Sequence, residues 1–131
     1  MNYKYNKYIK NKSYSRSFNY INFKDNHKFD IIISIPCYNE FEYLFKTLDS
    51  INKQNKNILK RTLVSITINN SIHESKNIVN NNNNTLKKIK KSKYDFCIVV
   101  IDAFSKNNAL SIKEAGVGVA RKIAVDSILH L

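Results

Sequence analysis

The chain of 131 residues is long enough for one ordinary domain, and its hydrophobic content of 43% argues against a disordered protein. Two glycines and one proline argue against a turn-rich all-β fold, and no apolar run is long enough to span a bilayer. The net charge of +12 is concentrated at both ends, since residues 1–28 hold seven Lys and Arg against one Asp and residues 86–131 hold nine against four acids.

Residues 1–28 interleave Tyr, Asn, Lys and Ser without apolar periodicity, which predicts a basic, flexible tail. The same mixture also suits stacking on single-stranded nucleic acid or contact with anionic lipid. The tail lacks the apolar segment of a signal peptide, so we expect a cytoplasmic protein, with a peripheral position at the inner membrane face as an open alternative. Cys37 and Cys97 are then expected to be reduced thiols.

The first predicted strand is the isoleucine-rich run 31–35, which is typical of a strand buried on both faces of a parallel sheet. Pro36 is predicted to end this strand because proline has no N–H for the ladder. The polar residues 38–40 follow, and an amphipathic helix then extends to about residue 54. Ligands of open α/β sheets bind outside the carboxyl ends of the strands, which makes Tyr38 and Glu40 candidate site residues.

A polar link at 55–60 leads to a second predicted strand, 63–68, which ends in Asn69-Asn70-Ser71. His73 and Glu74 are adjacent and lack the spacing of metal ligands, so we expect an exposed loop there. A weak helix is predicted from about 74 to 91. Its centre is expected to fray at the asparagine run 80–84, because Asn favours caps and turns.

The third predicted strand is the apolar run 96–101, and a polar loop at 105–108 follows it. Residues 113–126 then read as a helix opened by glycine, with Val117, Ala120 and Ala124 on one face. The order strand-helix-strand-helix-strand-helix predicts an α/β fold, a three-layer sandwich with a mainly parallel sheet.

Two stretches of the chain resemble family 2 glycosyltransferases. Ser34-Ile-Pro-Cys-Tyr-Asn-Glu40, followed by a helix with Leu44, Leu48 and Ser50, is similar to the opening of these enzymes. Gly116, Ala120 and Arg121 fit the family's later Gly-x-x-x-Ala-Arg segment. The resemblance implies the GT-A, nucleotide-diphospho-sugar transferase-like fold, with residues 29–131 as its N-terminal half. It also implies a nucleotide sugar donor, UDP-linked or related, for transfer to a glycan or another acceptor.

The resemblance further implies a donor site, formed by Pro36, Tyr38, Glu40, Asn69 and Arg121. Tyr38 would stack on the base, and Glu40 would bond the nucleoside. Asn69 stands where the family usually has an acid that contacts the base or ribose, and Arg121 would face the base or the diphosphate. Each has a plainer alternative role in packing, at a helix start, in a turn or on the surface. No catalytic residue or metal ligand is assigned.

The family's metal-binding Asp-x-Asp motif does not occur in these 131 residues. We therefore expect a truncated enzyme that transfers no sugar alone, because Mn²⁺ or Mg²⁺ would bind only with a further C-terminal half, which a separate gene could encode. A second interpretation is a basic α/β module that binds nucleic acid or a membrane surface without catalysis, nucleic acid being the less expected partner. A receiver-like regulatory domain would need acids at the strand ends, where Asn69 and Asn70 lie.

Overall fold

The computed structural model describes residues 3–11, 19–21 and 28–130. The regular elements in these ranges are α1 (Tyr3–Asn11), β1 (Asn19–Ile21), β2 (Ile31–Cys37), α2 (Phe41–Asn52), α3 (Lys56–Leu59), β3 (Thr62–Asn69), α4 (Lys76–Lys91), β4 (Cys97–Ala103), α5 (Val117–Asp126) and a 3₁₀ turn at Ile128–His130. No helix in the described ranges is both long and apolar enough to cross a membrane.

The strands form one sheet in the order β1-β4-β3-β2. β2, β3 and β4 run parallel, with Ile33 opposite Val64 and Val64 opposite Ile98, and β1 pairs antiparallel with β4. Each parallel connection carries at least one helix, as a crossover requires. The prediction of an α/β fold with a mainly parallel sheet is confirmed.

Helices cover both faces of the sheet because the buried strands carry apolar side chains in both directions. On one face Ile66 and Val100 pack in a cluster with Leu48 of α2 and Ile89 of α4. On the other face Ile101 packs in a second cluster with residues of α5. The Ser65 hydroxyl on β3 also donates to the carbonyl of Ala124, at 2.8 Å. All of β3 is buried, so this strand is the centre of the core.

β2 differs from its prediction in two ways. It lies at the edge of the described sheet, and Ile32 near its start is 50% exposed, so the prediction of burial on both faces is wrong. The strand also continues through Pro36 to Cys37. A residue without an N–H is tolerated there because an edge strand has hydrogen bonds to satisfy on one side alone.

Parts of the predicted tail have regular structure, since 3–11 form α1 and 19–21 form β1. The Tyr8 hydroxyl of α1 donates to Oδ1 of Asp126 on α5 at 2.7 Å, and β1 adds to the outer edge of β4. The other residues of the predicted tail up to 27 lie outside the described ranges. The division of the chain at residue 28 stays a prediction.

Three further helices differ from the predictions. The link at 55–60 contains the short helix α3, whose first turn is capped by Asn55, since its side chain accepts from the N–H of Asn57 at 2.8 Å. α4 is continuous through the asparagine run. The last helix begins at Val117 because residues 111–115 form a turn, held by the Ser111 hydroxyl donating to Glu114 at 2.8 Å.

Candidate functional site

A cavity of about 510 Å³ lies at the carboxyl ends of β2 and β3 and is bounded on one side by the start of α5. The lining residues are Pro36, Tyr38, Glu40, Asn69, Asn70, Ser71, Glu74, Ile112, Ala115, Gly116 and Val117. This is the edge of a parallel sheet at which ligands bind in open α/β folds.

Four of the five residues that the sequence predicts for the site line this one cavity. Pro36, Tyr38 and Glu40 come from the end of β2, and Asn69 comes from the end of β3. Arg121 is exposed on α5, one turn beyond the cavity, and is not among the lining residues. The cavity therefore joins the two strand ends, and the roles given to these side chains stay predictions.

Glu74 is a lining residue that the sequence interpretation placed in an exposed loop. It is half-buried and lines the same cavity as Tyr38. The pKa of Tyr38 is raised first by desolvation and then by the nearby Glu74 carboxylate. The sequence contains no local signal for this placement, because the position of Glu74 depends on the path that the chain takes after β3.

The two strand ends are held by asparagine side chains of α4. The N–H of Asn39 donates to Oδ1 of Asn82, and the N–H of Phe41 donates to Oδ1 of Asn81, both at 3.1 Å. Nδ2 of Asn82 donates to the carbonyl of Asn69 at 3.2 Å. The predicted fraying of α4 is therefore wrong. These amides bond to other elements and do not compete for the hydrogen bonds of their own helix.

Asn69 presents an unsatisfied acceptor beside the cavity. Its Oδ1 is buried and has no hydrogen-bond partner among the residues that the structure describes. A buried acceptor without a partner costs about 1–3 kcal/mol.

The start of α5 contributes Gly116 and Val117 to the lining of the cavity. Gly116 has φ 150° and ψ 166°, a conformation that residues with a side chain rarely adopt. A helix start carries free N–H groups and a partial positive charge, which favour a negatively charged group. The lining thus includes two carboxylates that follow the strand ends and the start of a helix.

Cys37 is the last residue of β2, directly before the loop that contains Tyr38, and it is fully buried. Burial and, second, the charge of Glu40 raise the pKa of its thiol from 9.0 to about 12, although a backbone hydrogen bond at Glu40 acts in the opposite direction. The thiolate is the reactive form. At about pH 8 the thiolate of Cys37 is then far less populated than that of an ordinary thiol.

We therefore expect a thiol reagent to label the half-buried Cys97 well before Cys37 in the folded protein. Mass spectrometry of peptides after timed labelling measures both rates. Labelling in denaturant provides the control, because both thiols should then react alike. Equal labelling of the two cysteines under native conditions would contradict the placement of Cys37.

Comparison of the chain with models of protein families, with curated proteins and with solved structures finds no match. The described ranges contain no group of three or more His, Cys, Asp and Glu side chains that could hold a metal ion. In this part of the molecule, the Mn²⁺ or Mg²⁺ that the resemblance implies therefore has no ligand set made of protein side chains alone.

Proposed function

We propose that the cavity binds the nucleoside end of a nucleotide sugar, UDP-linked or related, as the donor site of a family 2 glycosyltransferase-like protein of the GT-A fold. The observation that carries the proposal is that Tyr38, Glu40 and Asn69 line one cavity at the carboxyl ends of two parallel strands. Its volume of about 510 Å³ lies in the range of small-molecule sites.

The charges of the lining favour a neutral, donor-rich part of the ligand. Glu40 and Glu74 line the cavity, and its described lining includes no Lys or Arg. Ionised carboxylates only accept hydrogen bonds. The hydroxyls of a ribose and the N–H groups of a base are suitable donors, whereas a phosphate next to these carboxylates would be repelled.

The remaining features suit the other parts of such a ligand. The Tyr38 side chain is 43% exposed and offers a ring face on which a base can stack. Asn69 lines the cavity at the end of β3 and would contact the base or the ribose through its amide. The diphosphate would lie towards Gly116 and Val117, where the start of α5 favours negative charge.

Glu40→Gln tests the proposal, with Glu42→Gln as the matched control. Each change removes one negative charge from the same short segment of the chain. Glu42, however, is exposed on the first turn of α2 and does not line the cavity. We expect Glu40→Gln to weaken UDP binding about three- to tenfold, because Gln keeps one acceptor oxygen but loses the charge.

Calorimetric titration of the full chain measures this effect, with thermal unfolding recorded for both variants. Equal loss of affinity in the two variants would attribute the effect to net charge and would contradict a role for Glu40 in the cavity. A wild-type protein that does not bind UDP at millimolar concentration would refute the proposed function.

A second candidate function is contact with an anionic membrane surface, without catalysis. It is favoured by α4, which contains five lysines and no acidic residue. Lys87, Lys90 and Lys91 are exposed near its C-terminal end, whereas Lys88 lies over the ring of Phe45 at 4.2 Å. Association with anionic vesicles that weakens as salt rises would support this candidate.

A further inference from the structure

The asparagine run of α4 contains two residues that connect the loops on either side of the cavity. We infer that Asn82, assisted by Asn81, is a positioning residue, which fixes the loop after β2 and the turn after β3 so that Tyr38, Glu40 and Asn69 face one ligand. The effect on the ligand rests on the proposed function, whereas the fixing of the loops does not.

The first part of the argument concerns the loop after β2. Asn82 and Asn81 accept from the N–H groups of residues 39 and 41, at 3.1 Å each. Glu40 lies between these two backbone contacts, and Tyr38 directly precedes them. Asn39 has φ 54°, a left-handed conformation that Asn adopts more readily than most residues. The contacts with α4 therefore hold the backbone beside both site residues.

Asn81 also supplies the cap that α2 lacks. The described structure has no side-chain hydrogen bond from Glu40 to cap this helix, although a helix start leaves free N–H groups that need partners. The Oδ1 atom of Asn81 accepts from one of them, the N–H of Phe41. α4 thus determines where α2 begins, and with it the position of Glu40.

The second part concerns the turn after β3. Nδ2 of Asn82 donates to the Asn69 carbonyl at 3.2 Å and to Oδ1 of Asn70 at 2.9 Å. Nδ2 of Asn70 in turn donates to the carbonyl of Phe104, just after β4, at 3.2 Å. One fully buried side chain therefore connects the carboxyl ends of β2 and β3, and through Asn70 it reaches that of β4.

The chemistry of the contacts requires an amide at position 82. Its oxygen must accept from Asn39, and its nitrogen must donate to two oxygens at the end of β3. An Asp side chain would place a second oxygen against those two acceptors, and Leu would remove all three hydrogen bonds. Asn80, Asn83 and Asn84 are exposed, so the run contains its own matched controls.

The first test is amide hydrogen exchange measured by NMR on the wild type, Asn82→Leu and Asn83→Leu. The Asn39 amide should be protected in the wild type, and in Asn82→Leu its exchange should be at least about tenfold faster relative to the amides of β3. Asn83→Leu should match the wild type. An Asn39 amide that is unprotected in the wild type, or equally protected in Asn82→Leu, would overturn the inference. Even if Asn82→Leu does not fold, the wild-type measurement alone can overturn the inference, by showing an unprotected Asn39 amide.

The second test is titration with UDP of the wild type, Asn82→Asp and Asn83→Asp. We expect binding about three- to tenfold weaker in Asn82→Asp and unchanged in Asn83→Asp. Equal affinity in the wild type and Asn82→Asp would refute the effect on the ligand. Absence of binding in the wild type would refute the proposed function, while the exchange data would still decide whether Asn82 fixes the loops.

Discussion

Tyr38→Ala is expected to weaken UDP binding by about 1–3 kcal/mol, which is about 5- to 150-fold in affinity. Tyr38 lines the cavity together with Glu74 and is 43% exposed. Its removal would remove the stacking surface. Calorimetry on the purified chain measures the change.

Two variants separate the contributions of Tyr38. Tyr38→Phe keeps the ring and loses the hydroxyl, so it should retain most of the affinity if stacking dominates. Tyr43→Ala removes a ring that is 59% exposed on α2 and does not line the cavity, so it should bind UDP like the wild type. Unchanged affinity in Tyr38→Ala would remove this residue from the site.

Ile66→Ala is expected to lower the free energy of unfolding by about 2–5 kcal/mol. Ile66 is fully buried in β3, the strand that pairs on both sides, opposite Ile35 on β2 and Val100 on β4. Removing three carbons there leaves a cavity that its neighbours on two strands cannot fill without moving the backbone.

Ile72→Ala is the matched control for this change, because Ile72 is 55% exposed after the end of β3. Its expected cost is about 0.5 kcal/mol or less. Chemical denaturation of both variants gives the comparison. A loss in Ile66→Ala no larger than that in Ile72→Ala would contradict the position of β3 at the centre of the core.

The three parallel strands could be predicted from the sequence because each contains a short run that is rich in β-branched and other apolar residues. The runs at 31–35, 63–68 and 96–101 all lie in or overlap observed strands. Their order in the sheet could not be predicted, since an apolar run indicates that a strand is buried but does not show which strands lie beside it. This is why the edge position of β2 and the course of the strand through Pro36 were missed.

Residues at the strand ends could also be predicted, because parallel strands bring their carboxyl ends to one edge. Tyr38, Glu40 and Asn69 follow from that rule. Glu74 and Ile112 enter the cavity from longer connections, whose paths depend on tertiary contacts. The role of Asn82 could not be predicted either, because five identical residues in a row give no periodicity that shows which one is buried.

The proposal that this cavity is a nucleoside site is tested most directly by an NMR titration of the ¹⁵N-labelled chain with UDP. We predict saturable shifts of the backbone amides that surround the cavity, at Tyr38, Glu40, Asn69 and Gly116. Shifts confined to the lysine-bearing C-terminal end of α4, or no shifts at millimolar UDP, would contradict it.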